Sequence, residues 1–135
     1  MTNEEILNMP ASKELDTLVL LDVMKYKPSY IQEGSLFGIT GELDCWYDED
    51  GNFHSLGTSP STDIAAAWEV AETLGNKFDF AIVNNQNFRQ YPNLHYGFRL
   101  QAVDENSHIK TIFALGETAQ LAICRAALLA VMEAE

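Results

Sequence analysis

From Thr118 onward the sequence contains neither glycine nor proline and is dominated by alanine and leucine, residues that lose little conformational freedom in a helix. Leu121, Cys124, Leu128 and Met132 fall along one side of that helix, while Ala122, Ile123 and Leu129 carry the apolar surface further around it. A helix apolar beyond a single stripe has to be covered on more than one side. The segment therefore predicts a core helix wrapped by the rest of the chain.

Thr2-Asn3-Glu4-Glu5 has the form of a capping box and predicts a short helical turn ended by Pro10. Ser12 then caps a second helix, whose Leu15, Leu18, Val19 and Val23 follow i, i+3, i+4 spacing and which stops before Pro28. Leu36 to Leu56 is β-type, with Asp48-Glu49-Asp50-Gly51 turning a hairpin between Leu43–Tyr47 and Phe53–Leu56. Ser59-Pro60-Ser61-Thr62-Asp63 is rich in N-cap chemistry. It opens a helix with the stripe Ile64, Ala67, Trp68, Ala71 and Leu74, closed by Gly75, so Trp68 is expected in the core.

Phe78 to Val83 reads as a strand and residues 84–93 as a polar, aromatic loop. Leu94 to Val103 then alternates, with Leu94, Tyr96, Phe98, Leu100 and Ala102 on one face and His95, Gly97, Arg99, Gln101 and Val103 on the other. Asp104-Glu105-Asn106-Ser107 turns the chain into a partner strand near His108 to Ala114. Short links between successive strands favour antiparallel pairing. Residues 1–135 are thus expected to form one α+β domain, a three-layer α/β/α sandwich with a mainly antiparallel sheet.

With 135 residues, 47% hydrophobic and 21% charged, the chain can bury a core without cross-links. No apolar run approaches the roughly 18 residues of a membrane span, and the acidic stretch Met1 to Asn8 lacks an export signature, so neither membrane nor export is expected. A net charge of −12 repels phosphate backbones, which argues against a nucleic-acid polymer as partner. Cys45 and Cys124 have no metal-ligand spacing and are expected to be reduced thiols in a cytosol.

Three blocks together resemble the phage ABA sandwich domain, a family of small bacteriophage and prophage proteins. They are Glu5-Ile6 with Met9-Pro10-Ala11 and Leu18-Val19; Ser61-Thr62-Asp63-Ile64-Ala65-Ala66-Ala67-Trp68-Glu69-Val70; and Ala122-Ile123-Cys124-Arg125-Ala126-Ala127-Leu128-Leu129. The central block is the most specific, and Phe78 to Phe113 carries no family motif. The resemblance implies a phage origin, a bacterial host cytosol and a three-layer α+β fold. It brings no catalytic residues.

Asp48-Glu49-Asp50-Gly51-Asn52 alternates carboxylates ahead of a glycine, but a calcium loop would then need ligands at Trp46 and Gly57. It reads as a plain hairpin turn, and no metal or cofactor is expected. His54, His95 and His108 show no zinc spacing, although His95 and His108 are candidates to face each other across the last hairpin. No nucleophile elbow, Walker loop or dinucleotide fingerprint occurs, so no catalytic residue is assigned and an enzyme is not expected. Arg125, the sole base of the apolar terminal segment, is expected to reach water or to pair with a carboxylate such as Asp63 or Glu69.

The strongest functional signal is electrostatic. Residues 80–103 contain Arg89, Arg99 and His95 but no acid, a net +2 against −14 for the rest. With Tyr91 and Tyr96 in the same segment and Lys110 on the paired strand, Arg89, Tyr91, His95, Tyr96, Arg99 and Lys110 form a candidate ligand site. Arginine suits phosphate and an aromatic ring suits stacking, so a flat anionic molecule such as a nucleotide fits it. The bland alternative is a hairpin whose arginines pair with distant carboxylates. The expected function is therefore a phage accessory protein that binds a nucleotide-like host signal in counter-defence. The competing expectation is an interaction module docking on a host or phage protein, and an exposed sheet edge with an apolar terminal helix also suits a homodimer.

Overall fold

The computed structural model describes residues 1–33, 38, 40–55, 57–84 and 94–134. In chain order the elements are α1 (Asn3–Asn8), α2 (Lys13–Leu18) continued by a π-helical turn (Val19–Val23), β1 (Lys27–Tyr30), β2 (Leu43–Tyr47) and β3 (Phe53–His54). They are followed by α3 (Ile64–Leu74), β4 (Asp79–Asn84), β5 (Tyr96–Val103), β6 (Ile109–Gly116) and α4 (Ala119–Ala134).

Local chemistry accounts for the helix starts. The Thr2 hydroxyl accepts the Glu5 amide at 3.2 Å and the Ser12 hydroxyl accepts that of Leu15 at 3.2 Å. The Asp63 carboxylate accepts the Ala65 amide at 3.1 Å. On α3 the buried side is Ala67, Val70, Ala71 and Leu74, rotated from the expected stripe. Trp68 accordingly lies at the rim of the core, 42% exposed, with its ring edge-on to Phe80 at 5.7 Å. That corrects the expectation of a core tryptophan.

α4 is the centre of the molecule. Leu121 to Ala130 are all buried, because β5 and β6 pack on one side of the helix and α1, α2, the π-helical turn and α3 cover the others. Covering beyond one stripe, expected from its composition, is what the structure has. Arg125 lies inside this core at 7% exposure. Its Nε and Nη2 donate to the Met9 carbonyl at 3.0 and 2.8 Å, and Nη1 donates to the Leu115 carbonyl at 2.8 Å. The expected pairing with Asp63 or Glu69 is not formed. Instead the guanidinium fork ties the end of α1 to the end of β6.

The domain is a mixed α and β sandwich with antiparallel sheets, and the six strands among the described residues divide into two sheets ordered β1-β2-β3 and β4-β5-β6. β1 escaped the sequence reading because Pro28 lies within it; as an edge strand it tolerates the missing donor. The smaller sheet packs on the π-helical turn through Trp46, Leu20 and Tyr26.

In the larger sheet, Phe98, Leu100, Ile112 and Ala114 face the helices and are buried. The opposite face, which includes Arg99, Val103, Ile109 and Phe113, is exposed. Gly97 makes that face flat, since a Cβ there would fall 2.5 Å from Phe113 Cζ.

Gly116 is required for a different reason. A Cβ on it would lie 2.6 Å from the Ala122 amide nitrogen and 2.9 Å from the Thr118 carbonyl oxygen, both backbone atoms of the sheet-to-helix turn. Gly116→Ala is expected to cost about 2–3 kcal/mol through backbone displacement, read as a lower urea midpoint with an unchanged m-value. A neutral substitution would mean that the turn has slack that the packing does not show.

Candidate functional site

The β4–β6 register places the described members of the sequence-predicted site. Tyr96 pairs with Asn84 and Gly116 at one end of the sheet, and its half-buried ring packs against the core on the helix side. Arg99 pairs with Ala81 and Phe113 on the open face, where its side chain reaches water. Lys110 pairs with Ala102 on the helix side, at the far end from Tyr96. His95 is exposed just before β5. Arg89 and Tyr91 lie outside the described residues.

His95 and His108 do not face each other. Val103 pairs with Ile109 and Tyr96 with Gly116, so one histidine precedes the hairpin and the other sits in its turn. An eight-residue strand separates them, roughly 26 Å at 3.3 Å per residue. His108 instead belongs to the turn, with its amide and that of Asn106 donating to Asp104 Oδ1 at 2.9 and 2.8 Å.

Lys110 lines a cavity together with residues that sequence reasoning did not single out. A cavity of about 280 Å³ opens between the π-helical turn, the end of α3, β6 and α4. Val23, Leu74, Phe78 and Val131 give it an apolar floor, and Lys25, Lys77 and Lys110 line it together with Asp22. Three of the five lysines in a chain of net charge −12 thus converge on one hollow.

One of the three has an ionic partner among the described residues. Lys110 Nζ lies 3.5 Å from Glu133 Oε2, and Lys77 stands beyond the last turn of α3. Neither Lys77 nor Lys25 has a carboxylate within ion-pair distance among the described residues, and it is the backbone that sets Lys25 apart. That backbone is left-handed, with φ of 59°, a conformation that costs a non-glycine residue about 1–2 kcal/mol. The wide π-type closure imposes it: the Met24 amide donates to the Val19 carbonyl at 3.0 Å and the Tyr26 amide to the Leu20 carbonyl at 2.9 Å, which leaves Lys25 in the position glycine normally takes.

The pattern of the phage ABA sandwich domain matches residues 21–128, which is 108 of the 135 positions. The chain belongs to the phage ABA sandwich domain family. The match takes in the cavity lining from Asp22 to Lys110 but not Ala130 and Val131, and it covers the central block and most of the terminal one; the opening block precedes it. No curated protein and no solved structure matches the chain.

Next to the cavity of this phage ABA sandwich domain, the acidic hairpin is a self-contained turn. Asp48 Oδ1 accepts the amides of Asp50 and Asn52 at 3.0 and 2.8 Å, and Oδ2 lies 3.0 Å from His54 Nε2. The His54 hydrogen bond, followed by that from the Asn52 amide, lowers the Asp48 pKa. A depressed carboxylate supports the hairpin above its unfolded pKa and loses that support as pH falls through the folded value. The His54 ring stacks on Tyr26 at 4.5 Å, anchoring the residue next to Lys25.

Among the described residues, no group of three or more His, Cys, Asp or Glu side chains is placed to hold a metal ion, and no helix is long and apolar enough to cross a membrane. Cys45 and Cys124 are free and buried, and burial with the nearby Asp16 carboxylate raises the Cys124 thiol well above its ordinary pKa.

Proposed function

We propose that this phage ABA sandwich protein works by binding, and that it holds a small nucleotide-like anion of the host in the cavity lined by Lys25, Lys77 and Lys110. The observation that carries this reading is Lys25, a cation in a strained backbone conformation, without an ionic partner among the described residues, in the lining of a partly apolar hollow that it shares with Lys77 and Lys110. Lysine supplies charge for a phosphate, and the Phe78 ring with its aliphatic neighbours supplies a floor for a flat apolar group. A volume of about 280 Å³ suits a small molecule rather than a polymer. Sequestering a nucleotide-type defence signal in the bacterial cytosol is the role that a small phage protein with such a site would serve.

The test is a thermal-shift screen with adenine and guanine nucleotides, cyclic forms and ADP-ribose derivatives. At a hundredfold excess over its dissociation constant, a true ligand adds about 2.7 kcal/mol, which for a domain of this size raises Tm by roughly 10 °C. Lys25→Gly separates the site from the fold: relief of the left-handed strain is expected to stabilise the free protein by about 1 kcal/mol while most of the ligand-induced rise disappears. Arg99→Ala, on the other side of the sheet, should leave that rise intact. Loss of the rise in Arg99→Ala but not in Lys25→Gly would return the site to the hairpin residues Arg89, Tyr91, His95, Tyr96 and Arg99. If no anion stabilises the unmodified protein, docking on a host or phage protein becomes the better reading.

A further inference from the structure

The open face of the β4–β6 sheet differs electrically from the rest of the chain. By register it takes three residues from β4, four from β5 and four from β6, among them one acid, Asp79, and one base, Arg99. The face is neutral on a chain of net charge −12. It is also apolar, with Val103 and Ile109 each 64% exposed and Phe113 43% exposed. An apolar face of this kind left open to water marks an interaction surface.

We propose that its occupant is a second copy of the same chain, stacked sheet on sheet about a twofold axis. Two chains of charge −12 repel on most approaches, and the neutral face is where that repulsion is least and apolar burial greatest. Asp79 pairs with Gln101, which makes it the diagonal neighbour of Arg99 on the next strand. One acid beside one base is self-complementary in a twofold contact, since each Arg99 can meet the Asp79 of the other copy. A foreign partner selected by charge would call for an excess of one sign.

Three strands of up to eight residues give a footprint of roughly 14 by 26 Å, about 360 Å² on each copy, so the pair buries roughly 700 Å². That is below the roughly 1,000 Å² of a stable interface and predicts a weak, reversible dimer. The lysine-lined cavity lies on the other side of the sheet and stays accessible, so this dimer does not depend on the ligand reading.

Sedimentation equilibrium between about 1 and 300 μM tests it, over the range expected of a small interface. The unmodified chain is expected to pass from monomer to dimer, whereas Arg99→Glu alone and Asp79→Arg alone stay monomeric. An equimolar mixture of those two variants is expected to dimerise, because both twofold contacts then join opposite charges. Ile109→Lys, at an exposed position, is expected to remain monomeric with an unchanged melting curve. A chain that stays monomeric throughout the range overturns the proposal and leaves the face to another protein. A dimer that survives both Arg99→Glu and Ile109→Lys, or variants that fail to pair on mixing, overturns it as well.

Discussion

Ending the chain at Gly116 is expected to abolish cooperative unfolding altogether. α4 supplies an unbroken buried run from Leu121 to Ala130, and it is the element on which β5, β6, α3 and the N-terminal helices all pack. Leu121, Ile123, Leu128 and Leu129 alone contribute about 1.5–3 kcal/mol each by burial, a sum comparable with the whole net stability of a domain, about 5–15 kcal/mol. Without the helix, Phe98, Leu100, Ile112 and Ala114 would face water. Near-ultraviolet circular dichroism and a thermal melt of the shortened chain provide the measurement. A sharp transition would show that the remaining elements close a core of their own.

Arg125→Ala is expected to destabilise the protein by about 2–4 kcal/mol, through a cavity in the core and the loss of the donor to two half-buried carbonyls. Burial lowers the pKa of the guanidinium while Glu117 opposes the shift, so the interior does not favour the charge as such. What fixes Arg125 is its three hydrogen bonds, two to Met9 O and one to Leu115 O. Arg125→Met, close in volume but without donors, should restore the packing and leave most of the polar penalty. Arg125→Lys should recover only part of it, because one ammonium does not span both carbonyls. Urea midpoints for the three variants separate packing from hydrogen bonding. Equal stability of the Met variant and the native protein would remove the clamp from the account.

Much of the local structure was legible in residues a few positions apart. Thr2, Ser12 and Asp63 cap the helices that follow them, and Asp48 and Asp104 close the two described hairpin turns with their own side chains. The alternation of Leu94 to Val103 and the polar turn after it indicated the pairing direction of β5 and β6. The turn is one residue longer than the four polar residues suggest, and this fixes the register and carries His108 out of the strand. Trp68 was misplaced by a similar small step, since an aromatic next to an alanine-rich stripe can sit at its rim.

The candidate site was legible only in part. The shortage of acid around β5 drew attention to Arg99 and Lys110, which the sheet then sends to opposite faces. Lys25 and Lys77 carried no signal, because each stands alone in a loop and a left-handed lysine looks like any other in sequence. The Gly-like position of Lys25 depends on a π-type closure that no i, i+4 pattern announces. Arg125 was read as a surface or ion-pairing base because its acceptors are backbone carbonyls, one of them 116 residues away. The buried Asp16 carboxylate, which accepts the Ser61 amide at 2.7 Å across 45 residues, is hidden for the same reason.

The sequence by itself determined the helices, the turns and the central place of the terminal helix, since capping, turn chemistry and apolar periodicity act between neighbours within one or two turns of chain. Tertiary structure alone decided the division of the strands into two sheets, the convergence of three lysines on one hollow, the internal clamp of Arg125 and the neutral open face. Those features depend on which surfaces meet after the elements have formed, and burial, being non-directional, leaves that choice to the packing of the whole chain.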